Sequence, residues 1–140
     1  MKNPQSIADE LYSLPLGEIA DFGCCAFVLM WCLKIDKTDL EAIRTVAEAM
    51  KKGALDIDCT VKWYEFANFL GKPIKAVEFR QISDIKDIKE RTPVRYDFNG
   101  KSHWVGVEGG KVKFNPLENS VCVKYGKPTT ARILTLEKKK

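Results

Sequence analysis

The hydrophobic pattern changes period once along the chain. Up to about residue 71 the apolar positions recur at helical spacing, and beyond it they alternate. "NPQSIADELYSL" predicts a helix opening at Asn3 with Pro4 in its first position. "PLGEIADFG" reads as a loop. The run from Cys24 to about Leu33, "CCAFVLMWCL", predicts a helix buried on most sides. "KTDLEAIRTVAEAMKKG" predicts another, capped by Thr38 and stopped by Gly53, with Leu40, Ile43, Ala47 and Met50 as its stripe. "DIDCTVKWYEFANFLG" predicts one more, with Ile57, Val61, Tyr64 and Ala67 on one face and Gly71 at its end.

The second half reads as β. "KPIKAVEF" is a short strand and "SDIKDIKER" a helical turn. "TPVRYDF", "KSHWVGVE", "KVKFNPL", "SVCVKYG" and "TARILTL" follow as alternating runs. They are broken at Asn99-Gly100, at Gly109-Gly110 and at Gly126-Lys127-Pro128, and Asn-Gly between alternating runs is a strong hairpin signal. Helices first and an antiparallel sheet second predict an α+β fold, with N-terminal helices packed on a C-terminal antiparallel β-sheet. No internal repeat or low-complexity linker divides the chain, so residues 1–140 are read as one domain with a basic tail over 136–140.

Composition narrows the function classes. Apolar residues make up 45% and charged residues 30%, as in a folded globular domain. The net charge of +4 is mild, and with no basic helix or aromatic-basic interleaving it argues against nucleic-acid binding. The longest apolar run is too short to span a bilayer, and the opening "MKNPQSIADE" lacks the apolar core of a signal peptide. The expectation is a cytoplasmic protein that does not enter the membrane.

The five cysteines, Cys24, Cys25, Cys32, Cys59 and Cys122, show no regular spacing and are expected to be free thiols. With no C-x-x-C pair and a single histidine, neither zinc nor another cofactor is expected. A bridge between the vicinal Cys24 and Cys25 needs a strained backbone. What remains for that pair is core packing or a nucleophile with a neighbour.

His103 is the only histidine and lies in an alternating run. A two-residue Asn99-Gly100 turn sets Tyr96 opposite His103 and puts His103, Val105 and Val107 on one face, with Trp104 on the other. Asn115 ends the next run. A two-residue Gly109-Gly110 loop sets it opposite Trp104, on the wrong face. A three-residue loop over Glu108–Gly110 sets it opposite His103. Both registers are compatible with the residues.

A cysteine opening a helix, a histidine on a later strand and an amide on the next resemble the papain-like cysteine peptidases, in particular the small bacterial branch that includes bacteriocin-processing peptidases. Gly23-Cys24 with Met30 six residues on, and the Cys24-Cys25-Ala26-Phe27 run, resemble the segment around the family's nucleophile. "SHWVGVEGG" resembles the histidine strand, "FNPLENS" the segment of the third catalytic residue, and "VKYGKPTTARIL" the closing strand region. The likeness spans roughly residues 18 to 136 and is carried by order and spacing. It implies a papain-like fold in which Cys24 is nucleophile, His103 general base and acid, and Asn115 the group that orients the imidazole. A thiol at a helix N-terminus and a histidine in reach of it are coherent chemistry for such a site. Adjacent helical residues point about 100° apart, so only one of the two cysteines can serve, and the resemblance selects Cys24. Cys25 is read as packing, and Cys32, Cys59 and Cys122 as core.

The implied activity is hydrolysis of a peptide or isopeptide bond, with a peptide or peptidoglycan-like substrate. Tyr96 and Trp104 are candidate pocket walls. One position departs from the family. Glu18 stands where the family has a glutamine that donates to the oxyanion, and a carboxylate only accepts. The competing expectation is therefore a papain-like binding or structural module with decayed machinery. The short basic chain also suits a phage- or prophage-encoded protein.

Overall fold

The computed structural model describes residues 1–5, 24–55, 62–117 and 120–137. Helices α1 (Cys24–Cys32), α2 (Asp39–Lys51) and α3 (Trp63–Phe69) come first. Strands β1 (Ile74–Gln81), β2 (Thr92–Phe98), β3 (Lys101–Glu108) and β4 (Lys111–Phe114) follow, then the short helix α4 (Val121–Tyr125) and strand β5 (Lys127–Leu136). The architecture is α+β, helices followed by a five-stranded antiparallel sheet in the order β1-β5-β2-β3-β4.

Each face of the sheet carries its own core. On one face Phe114, Trp104, Val77 and Leu134 pack against α1, α2 and α3. On the other, Val94, Tyr96, Val105, Val107 and Ala131 pack with Cys122 of α4 and with Ile82, Ile85 and Ile88 from the β1–β2 connection. Helix α1 is apolar throughout, and every one of its residues except Trp31 is buried. Its ring packs instead across β3, stacked on Phe114 at 5.8 Å, with the Arg91 guanidinium 4.3 Å from the ring centroid. Gly106 makes this possible, because a Cβ there would run into the Trp31 ring.

Helix α2 is capped as its sequence predicts. Thr38 Oγ1 accepts from the Glu41 amide at 3.2 Å and donates to the Glu41 carboxylate at 2.9 Å. Of the expected stripe, Ile43 is buried and Ala47 and Met50 pack partly buried against the core. Ala42, Ile43, Val46 and Ala49 are buried, whereas Leu40 is 60% exposed. The buried side is turned toward Ala42 and Ala49 and away from Leu40. In α3 the buried residues are Phe66 and Ala67, while Tyr64 is 46% exposed and its hydroxyl accepts from the Val77 amide of edge strand β1 at 3.2 Å. Ile57 and Val61 lie outside the described residues, as do most of the expected first helix and the "PLGEIADFG" loop.

One strand expectation is overturned. "SVCVKYG" alternates as a strand would, yet Val121–Tyr125 is helical. The chain leaves β4 at the sheet edge and must return between β2 and β1 to form β5, so it crosses over β3 and β2. The short helix makes that crossing and sets Cys122 on the sheet, a tertiary requirement that outweighs local alternation. Replacing Gly106 with alanine is expected to destabilise the fold by about 1–3 kcal/mol, through overpacking against Trp31. Urea unfolding followed by tryptophan fluorescence measures it, and Trp31→Leu in the same background should recover part of the loss.

Candidate active site

The His103 ring and the Asn115 amide are brought together by two glycine-bearing turns and one irregularity. Asn99 and Gly100 both have positive φ (48° and 77°), as a two-residue type I′ hairpin requires. The register that follows pairs Phe98 with Lys101 and Tyr96 with His103, as expected. Gly109 and Gly110 repeat the device with φ of 61° and 75°, pairing Glu108 with Lys111 and Val107 with Val112. This is the two-residue loop, not the three-residue one. Carried on unbroken, it would put Asn115 on the helix-covered face. Instead Gly106 pairs with Phe114, so Lys113 is an extra residue in β4. Such a bulge exchanges the two faces of a strand. Phe114 turns toward the helices, and Asn115 emerges on the face of His103.

The contact itself is direct. His103 Nε2 lies 2.7 Å from Asn115 Oδ1. The same Oδ1 accepts from the Leu117 backbone amide at 3.2 Å, which identifies it as the oxygen end of the amide. An amide oxygen only accepts, so the ring proton sits on Nε2 and Nδ1 is left as the basic nitrogen. The turn bearing Asn115 is anchored by the N-terminal residues. Asn3 Nδ2 donates to the Asn115 carbonyl at 2.8 Å and the Gln5 amide donates to the Pro116 carbonyl at 3.0 Å. Asp39 in turn holds the amides of Lys2 and Asn3 at 2.6 and 3.2 Å.

His103 is 4% exposed, and burial pulls its pKa below the ordinary 6.5, while the bond to Asn115 works in the opposite direction. Tyr96, its partner across β2–β3, is buried as well, with its hydroxyl pKa raised by burial.

Cys24 opens α1 and is 9% exposed. Its thiol is pushed up from the ordinary 9.0 by burial, against the backbone N–H groups of Trp104, Cys25 and Cys24 itself, which favour the thiolate. The Trp104 amide is free to do so. In the β2–β3 hairpin it points away from β2, and the β3–β4 ladder stops at Gly106 and Phe114. The sulfur of Cys24 is therefore one residue from His103 along β3, and close to Cys122 as well. Among the described residues, no hydrogen bond joins this thiol to the imidazole. Cys25 points elsewhere, toward Arg132 of β5, and burial raises its pKa strongly. The vicinal cysteines thus part to different surroundings.

Of the remaining expected residues, Trp104 lies on the helix-covered face, edge-on to Trp63 at 5.8 Å. Cys32 and Cys122 are buried free thiols, as expected. Glu18 and Cys59 lie outside the described residues. Sequence reasoning missed the Trp104 amide, whose only signal is the shortness of "KVKF", and the nearness of Cys122 to Cys24. Among the described residues, no group of three or more histidine, cysteine or carboxylate side chains is placed to hold a metal, and no helix is long and apolar enough to cross a membrane. No protein-family model, curated protein or solved structure matches this chain.

The single histidine makes its titration readable by NMR. Its apparent pKa should lie below 6.5 and fall further in Asn115→Ala, because the lost bond favoured the charged ring. The linkage sign follows. The unfolded chain binds the proton first, so stability is lost as pH falls from 6.5 through the folded-state pKa, and denaturant midpoints across that window measure the loss.

Proposed function

We propose that this chain is a small papain-like thiol hydrolase, a peptidase or amidase, with Cys24 as nucleophile, His103 as general base and acid, and Asn115 as the residue that positions the imidazole. The observation that carries the reading is the 2.7 Å bond from His103 Nε2 to Asn115 Oδ1, on a strand whose next amide contacts the helix-opening thiol. A bond at Nε2 alone leaves Nδ1 to take the thiol proton as sulfur adds to the carbonyl carbon. The imidazolium then protonates the leaving amine as the C–N bond breaks, and water hydrolyses the thioester by the reverse proton transfers. Because burial raises the thiol and lowers the imidazole, the resting pair is neutral, and the proton moves during attack rather than before it. The backbone N–H groups of Cys24, Cys25 and Trp104 are the donors at hand for the oxyanion, whatever Glu18 contributes.

A second reading rests on the burial of Cys24: a binding module on the same scaffold in which the thiol only packs. Alkylation separates the two. With iodoacetamide near neutral pH, Cys24 should react faster than Cys32 and Cys122 by peptide mapping. His103→Ala should slow Cys24 by about a hundredfold, the range of general-base assistance. Equal rates at Cys24 and Cys122, or indifference to His103→Ala in a folded variant, overturn the hydrolase reading in favour of the module.

A further inference from the structure

Among the described residues, the sheet face beneath the start of α1 carries more positive than negative charge. Arg132 extends from β5 across the sheet. Its guanidinium carbon lies 4.6 Å from the centroid of the Phe79 ring and 5.3 Å from that of Trp104. Contacts to two rings limit the orientations the group can take. One terminal nitrogen, Nη1, is buried and has no hydrogen-bond partner among the described residues, which costs free energy.

The neighbours add to the imbalance. Arg95 is close enough to repel Arg132. Asp97, a carboxylate on the same sheet, is already committed: it bonds Arg95 at 3.3 Å, Ser102 at 2.6 Å and Thr129 at 2.8 Å. Helix α1 has no acidic residue in its first turn, so nothing within that turn offsets the positive end of its dipole. The Cys25 thiol is near enough to feel the guanidinium charge. Among the described residues, Arg132 has no salt bridge. Held by two ring contacts and half-buried, this guanidinium is unpaired among the described residues and lies near Cys25, the neighbour of Cys24.

We propose that Arg132, held by contacts to Phe79 and Trp104, anchors a carboxylate of the substrate, so that the bond presented to Cys24 is flanked by an acidic residue. The planar guanidinium suits bidentate recognition of a carboxylate, and the two aromatic rings offer apolar contact to the methylenes that carry it. This rests on the hydrolase reading for its role, while the anion site itself does not depend on the thiol being reactive.

Two measurements keep those apart. The first uses no cysteine chemistry. Titration of tryptophan fluorescence with N-acetylglutamate α-amide and with N-acetylglutamine α-amide compares ligands that differ by one carboxylate. The charged ligand should bind about tenfold more tightly, and Arg132→Gln should abolish that preference. The second compares iodoacetate with iodoacetamide at Cys24. The rate ratio should fall about tenfold in Arg132→Gln, and in the unmodified protein it should fall with added chloride, a control that needs no variant. Equal binding of the two amides overturns the anion site. A clear preference for the charged amide with an inert Cys24 keeps the site and overturns its catalytic role.

Discussion

Much of this molecule depends on how closely α1 approaches β3. An apolar helix with almost no exposed residue can be stable only if its neighbours fill the space around it, and the neighbour beneath is a strand with a glycine at the point of contact. Trp31 lies over Gly106, stacks on Phe114 and is covered by Arg91, which also donates to the Trp31 carbonyl at 2.8 Å. One side chain so clamped fixes the rotation of the helix about its axis and its height above the sheet. Seven residues back, two turns of helix, the same geometry delivers Cys24 to the Trp104 amide. The position of the thiol is thus a consequence of core packing at the far end of the helix, where nothing chemical happens.

The approach of His103 to Asn115 has a different origin, in the pairing of backbones. Strand parity would send Asn115 to the face occupied by the helices. A single extra residue, Lys113, reverses it. The bulge also ends the ladder, since β4 stops one residue later, and the end of the ladder is what leaves the Trp104 amide unclaimed. One irregularity therefore places the amide beside the imidazole and frees a donor for the sulfur. The N-terminal residues hold the turn beyond it through Asn3 and Gln5, so the ring partner is set from both sides of the chain.

What could be read from the residues alone divides along the same physical lines. The class, the hairpin at Asn99-Gly100, the Thr38 cap and the alternation of His103 against Trp104 were legible, because each depends on local backbone chemistry. The pairing of His103 with Asn115 was legible as a possibility but for another reason than the one that holds. Of the two loops left open, only the longer one led to that pairing, whereas the shorter one forms and the bulge within β4 restores it, a feature with no residue signature in "KVKF". The short helix over Val121–Tyr125 was not legible. Its alternation of valine and cysteine is a strand pattern, and only the order of strands in the sheet requires a crossing there. The stripe of α2 was legible in Ile43, Ala47 and Met50 but not at its first position, because the buried side turns toward Ala42, Val46 and Ala49 and leaves Leu40 exposed.

The two vicinal cysteines show how far a one-residue step can separate chemical environments. Both are buried, and burial raises both thiols. At Cys24 the opposing influence is a set of backbone amides, including one from β3, which are fixed dipoles that need no counter-charge and cannot titrate. At Cys25 the opposing influence is the Arg132 guanidinium, a full charge that another anion could claim. Fixed dipoles go on favouring the thiolate whatever occupies the neighbouring space, whereas the influence of a guanidinium charge weakens once a carboxylate pairs with it. If the site takes an acidic substrate, attack from Cys24 is therefore compatible with substrate binding in a way that attack from Cys25 is not. That choice rests on electrostatics, independent of the likeness to any family.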